Sequence, residues 1–106
     1  PEFFVAPLGD RAEAAAFGLA HRLRAAGARV EIDAGSKSLK SQMRRAGKLE
    51  APYVIIVGED EVAEGSITVR DMRARGLEQA ERIPVDELAT IYERLIAAPM
   101  IEAYTR

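Results

Sequence analysis

A chain of 106 residues, 48% hydrophobic and 30% charged, is long enough to bury one core and too short for two, so a single domain is expected. Its formal net charge of -2 argues against a general nucleic-acid coat, and the absence of cysteine excludes disulfides, cysteine-ligated zinc and thiol catalysis. No apolar run approaches the length that crosses a bilayer and no signal-peptide pattern opens the chain, so a cytoplasmic protein without membrane contact is expected.

Phe3-Phe4-Val5-Ala6 is a short apolar run closed by Pro7-Leu8-Gly9, which predicts a first strand ending in a turn. The run begins two residues after Pro1, as in a domain taken from a longer polypeptide. Asp10 stands where an N-cap belongs and Glu13 completes the pattern of a capping box. Ala12, Ala15, Ala16, Leu19, Ala20 and Leu23 recur at helical spacing, and Gly27 supplies a left-handed stop.

Arg29-Val30-Glu31-Ile32-Asp33 alternates and predicts a second strand with one face buried. The crossover makes these two strands parallel neighbours. A helix over Leu39 to Lys48 should bury Leu39, Met43 and Leu49 and leave its basic residues outside. Tyr53-Val54-Ile55-Ile56-Val57, entered at Pro52, is apolar throughout, as a strand buried on both faces must be.

Gly58 breaks that strand, and Glu59 to Glu64 reads as one capped helical turn before Gly65. Ile67-Thr68-Val69-Arg70 alternates as a fourth strand. Within Met72 to Glu81, polar and containing Gly76, a bend and a short fifth strand are expected. Pro84 should then open a last helix with Leu88, Ile91, Tyr92 and Leu95 as its core stripe, stopped by Pro99. The summed order is an α/β sandwich with a mixed sheet, parallel at its centre, and helices on both faces. Ligands collect at the carboxyl ends of such parallel strands, here Pro7-Leu8-Gly9, Asp33-Ala34-Gly35 and Gly58-Glu59-Asp60-Glu61.

Charge is uneven along the chain. From Ser36 to Leu49 there are Lys37, Lys40, Arg44, Arg45 and Lys48 with no acid among them, and Glu59, Asp60, Glu61 and Glu64 follow shortly after. The basic helix is either a solvated face or a contact for a polyanion backbone, where each neutralised phosphate gives a salt-dependent affinity without sequence choice. A carboxylate such as Glu59 or Glu61 can accept from the N1-H and N2-H2 edge of an unstacked guanine, and Arg70 can donate to a base or phosphate. The plainer role of the acidic turn is capping, with Asp60 as N-cap and Glu61 near the positive helix end.

No catalytic set and no metal-ligand pattern assembles. His21 lies mid-helix without a partner motif, where an exposed structural role is expected. Gly9 and the Gly35-Ser36-Lys37-Ser38 turn could present amides to a phosphate, yet neither has a P-loop or dinucleotide spacing.

From Phe3 to about Leu95 the chain resembles the C-terminal anticodon-binding domain of class II aminoacyl-tRNA synthetases, and most closely the histidyl type. The resemblance is carried by Val5-Ala6-Pro7-Leu8-Gly9, by Ser38-Leu39-Lys40-Ser41-Gln42-Met43-Arg44-Arg45-Ala46 and by Lys48-Leu49. It continues through Ile56-Val57-Gly58-Glu59-Asp60-Glu61, Gly65 and Thr68-Val69-Arg70-Asp71-Met72. Departures are Gly47 for a commonly acidic residue, Pro52 before the third strand, and a longer, more charged Met72 to Glu81.

The resemblance implies a three-layer α/β/α domain with a five-stranded mixed sheet and three main helices over residues 1–98, with a tail over 99–106. It implies that the domain grips a tRNA anticodon loop, that of histidine tRNA in the histidyl type. Glu61, Arg70 and Gln42 match positions that face anticodon bases, and Lys40, Arg44 and Lys48 become candidates for the RNA backbone. No cofactor is implied in the domain itself. ATP and Mg belong to the catalytic domain of a homodimeric parent, without which this chain should not aminoacylate. A protein-interaction or dimerisation domain of a synthetase-like regulatory protein is the alternative, and a small-ligand module using the Gly9, Gly35 and Gly58 turns is a third reading.

Overall fold

A computed structural model describes residues 1–33, 38–73, 80–87 and 92–93. Strand β1 (Phe3–Pro7) leads into helix α1 (Asp10–Ala25), then β2 (Val30–Ile32), α2 (Leu39–Lys48) and β3 (Tyr53–Val57). The short helix α3 (Glu59–Glu64) follows, then β4 (Ser66–Asp71), β5 (Ala80–Pro84) and a 3-10 turn over Val85–Glu87. One sheet holds all five strands in the order β2-β1-β3-β4-β5.

The expected parallel centre is present. Phe3 of β1 lies opposite Val30 of β2 on one side and Tyr53 of β3 on the other, both pairings parallel. β4 then runs antiparallel to β3, with Arg70 opposite Val54, and β5 antiparallel to β4, with Arg82 opposite Thr68. Because successive side chains point to opposite faces, the apolar run of β3 feeds two cores. Phe3, Val5, Tyr53, Ile55, Val57, Ile67, Val69 and Ile83 pack with Ala12, Ala16, Leu19, Ala20 and Leu23 of α1. Phe4, Ala6 and Val54 pack with Ala46 of α2 and with Ala51 on the other face. Each fully buried Phe, Leu or Ile contributes about 1.5–3 kcal/mol of apolar transfer, and the alanines of α1 let that helix lie close to the sheet.

Caps set the helix ends, and two differ from expectation. Gly9, at φ 99, is the N-cap of α1, with Asp10 as its first helical residue. The chain turns off β1 through a conformation that favours glycine, so Asp10 and Glu13 instead place negative charge beside the helix's positive end. Ser38 caps α2, its hydroxyl accepting from the Ser41 N–H at 3.1 Å. For α3 the cap is Gly58, two residues earlier than Asp60, and Gly65 ends the helix in the left-handed region.

Leu39 is exposed, against expectation, while Gln42 and Ala46 form the buried edge of α2 with Met43 and Leu49 partly buried. Gln42 Nε2 reaches the carbonyl of Pro7, the last residue of β1, so Leu39, nearly a turn earlier in α2, extends past the end of that strand. Pro84 ends β5 opposite Ser66, and the 3-10 turn over Val85–Glu87 follows it directly. A missing N–H is tolerated at the end of an edge strand, and the next residue, Val85, donates to the Gly65 carbonyl at 2.9 Å. The expected last helix lies outside the described residues apart from Tyr92 and Glu93. Tyr92 packs on the first core, its hydroxyl 3.4 Å from the Gly27 carbonyl.

Candidate nucleic-acid interface

Among the described residues, α2 covers β1 on one face of the sheet and the same face of β4 and β5 is less fully covered. There Thr68 and Arg70 are half-buried and Arg82 is exposed. Arg70 shares this face with Val54 of the α2-side core because residues directly opposite each other in a sheet point the same way. Its guanidinium forms no hydrogen bond or ion pair with any described residue.

The acidic helix α3 closes the carboxyl end of β3. Glu61 turns back over its own first turn, and its Oε2 accepts from the Gly58 N–H at 2.7 Å. Its Oε1 accepts from Arg82 Nη2 at 3.2 Å, while Arg82 Nη1 donates to Glu64 Oε2 at 2.7 Å. The Glu61 side chain is 12% exposed, against 57% for Glu64. Glu59 lies against Gly9, where an added Cβ would come 3.2 Å from Glu59 Oε1, so the acidic helix abuts the turn that ends β1.

Lys40, Arg44 and Lys48 recur every four residues along α2, all exposed and none paired with a described residue. Arg45 differs, since it binds Asp33 and lies 3.4 Å from Glu31, tying α2 to the β2 edge. With about 100° of rotation per residue, this places Lys40 and Met43 on the opposite flank of α2, toward β3 and β4. Gln42, grouped with the base-facing residues on sequence, is fully buried and donates to Pro7 O at 2.8 Å. Arg70 thus shares the sheet face covered by α2, Glu61 stands at the carboxyl end of β3 beside the α1-side core, and the Gln42 side chain lies buried beneath α2.

Arg82 is the participant that sequence reasoning missed. Its only local signal is the alternation of Glu81, Arg82 and Ile83, and its partners lie 18 and 21 residues earlier in the chain. His21 is exposed on α1. The Gly35 to Lys37 part of the second candidate turn lies outside the described residues. Among the described residues no three histidine or carboxylate side chains converge as a metal site.

A family model described as "Anticodon binding domain" matches residues 2–95. A histidine–tRNA ligase of Syntrophotalea carbinolica is 50% identical over 72 residues, which is 68% of this chain and 17% of that protein. Another, from Desulfatibacillum aliphaticivorans, is 38% identical over 96 residues, 91% of this chain and 22% of that protein. Apo S. aureus histidyl-tRNA synthetase superposes with TM-score 0.76 at 28% identity, covering 87% of this chain and 23% of that one. The RNA binding domain of threonyl-tRNA synthetase from Cryptosporidium parvum Iowa II shares the fold, with TM-score 0.79 at 18% identity over 89% of this chain and 23% of that one. The chain thus spans about a fifth of the length of the relatives it matches.

Proposed function

The chain belongs to the anticodon binding domain family, and we propose that it is the module by which a histidine–tRNA ligase reads the anticodon loop of histidine tRNA. The observation that carries this is Arg70, which pairs with no described residue and lies on the sheet face covered by α2, the helix that bears Lys40, Arg44 and Lys48. Lys40, Arg44 and Lys48 hold loop phosphates, which sets position and salt dependence without sequence choice. Glu61 accepts from the donor edge of a splayed guanine, and Arg70 donates to a neighbouring base or phosphate. Gln42 acts from below by fixing the first turn of α2 to the end of β1.

On this reading the module has no catalysis of its own. The ligase is a homodimer whose separate catalytic part uses ATP and Mg2+ to join histidine to its tRNA.

The test is a titration at fixed moderate salt of this chain with an RNA hairpin carrying the GUG loop and with the same stem carrying a scrambled loop. Tighter binding of GUG, with the preference lost in Glu61→Ala, is expected. Equal binding of both hairpins by the unaltered chain would overturn base reading. Binding of neither, with self-association or a protein partner that survives the substitution, would favour an interaction domain.

A further inference from the structure

Glu61 has a carboxylate whose two oxygens each hold one fixed donor, the Gly58 N–H on Oε2 and Arg82 on Oε1. An ionised carboxylate oxygen accepts at two sites, so one further site on each oxygen remains. The backbone donor alone would leave the carboxylate free to turn about its terminal torsion, which is a broad, soft rotor. The second donor, coming from the sheet's edge strand β5, sets the plane.

Charge points the same way. Helix α3 carries Glu59, Asp60, Glu61 and Glu64 and no basic residue. A polyanion approaching it meets four carboxylates, of which Arg82 is bonded to two. Since it is held between Glu61 and Glu64, Arg82 is neutralised within the domain and releases few counterions of its own when RNA binds.

We propose that Arg82 is a positioning residue for loop recognition: it orients the Glu61 carboxylate so that its remaining acceptor sites meet the donor edge of a base, and it lowers the repulsion between α3 and the RNA backbone. This rests on the reading of the domain as an anticodon-loop module. Arg82 itself touches no base. Its effect is on discrimination, whereas Lys40, Arg44 and Lys48 act on affinity for any loop.

The experiment measures Kd of the 106-residue chain and of Arg82→Met and Arg82→Lys for the GUG and scrambled hairpins across a salt series, with Tm for each protein. Arg82→Met should reduce the GUG preference about tenfold, within the discrimination a well-placed bidentate contact supplies. The slope of log K against log salt should stay unchanged, and Arg82→Lys, which reaches one carboxylate, should restore part of the preference. A retained preference with a slope reduced by about one would make Arg82 a phosphate contact and overturn the proposal. A lowered Tm with equal losses on both hairpins would make it a structural clamp only, and also overturn it. If the unaltered chain shows no preference, the anticodon reading itself fails, an outcome read before any Arg82 variant is considered.

Discussion

The carboxylate of Glu61 and the α-carbon of Gly58 are so close that a Cβ added to Gly58 would stand 2.7 Å from Glu61 Oε2, the atom that accepts from the Gly58 N–H at the same distance. The third residue of α3 thus folds onto the cap of its own helix. Only a residue without a side chain leaves it room.

Gly58→Ala therefore moves Glu61 without removing it. The Gly58 φ of -99 is open to alanine, and the obstructed atom is the end of a flexible side chain, so the fold should persist with a loss of about 1 kcal/mol, the worth of a cap contact. The GUG preference should fall nearly as far as in Glu61→Ala. Urea unfolding and hairpin titration on the same variant check both, and an intact preference would remove Glu61 from base reading.

Arg70 and Arg44 separate the two kinds of contact. Neither is paired with a described residue, so Arg70→Met and Arg44→Ala should each change stability by no more than about 0.5 kcal/mol. Arg44→Ala should weaken both hairpins alike and reduce the salt slope by about 0.7, the single-strand value per phosphate. Arg70→Met should weaken GUG more than the scrambled loop. Identical effects from the two substitutions would show that Arg70 meets a phosphate.

Gln42→Leu keeps roughly the volume of a fully buried side chain and removes the donor to the Pro7 carbonyl. Leaving that carbonyl unsatisfied should cost about 1–3 kcal/mol, seen as a lower urea midpoint at constant m-value. Loop binding, scaled to the folded fraction, should fall less than in Glu61→Ala. A large loss of GUG binding at unchanged stability would mean that Gln42 turns outward to meet the RNA.

Asp33 is 3% exposed and binds Arg45, whose side chain remains 45% exposed. Asp33→Ala should destabilise the chain by about 1–3 kcal/mol, while the arginine left behind can hydrate. The substitution removes one negative charge beside α2 and leaves Arg45 with Glu31 at 3.4 Å, a longer and more exposed pairing. Both hairpins should bind more tightly, with a steeper salt slope and an unchanged GUG preference. No gain in affinity would show that Arg45 lies outside the RNA path.

The bounds of α2 at Leu39 and Lys48 and of β3 at Tyr53 and Val57 could be read from residues alone, as could the end of α3 before Gly65 and the positive φ of Gly27. Such features depend on local causes: a cap side chain, an unbroken apolar run, a glycine at positive φ. The βαβ crossover likewise follows from chain direction and handedness, and with it the parallel pairing of β1 and β2. The chemistry of an acidic turn and of an arginine on the next strand marked Glu59 or Glu61 and Arg70 as candidates, and the resemblance narrowed the carboxylate to Glu61.

What each of those side chains meets was decided only by tertiary structure. Periodicity tells which side of a helix is apolar and nothing about how far the helix extends past its sheet, so Leu39 was expected inside and Gln42 outside, and the packing reverses them. Strand β5 falls at Ala80–Pro84 because its register is set by pairing with β4, and that pairing alone delivers Arg82 to Glu61 and Glu64. The acidic turn was legible from its composition; the charge that holds it arrives from a distant strand, because sheet pairing joins residues by space and leaves no mark in the spacing of either segment.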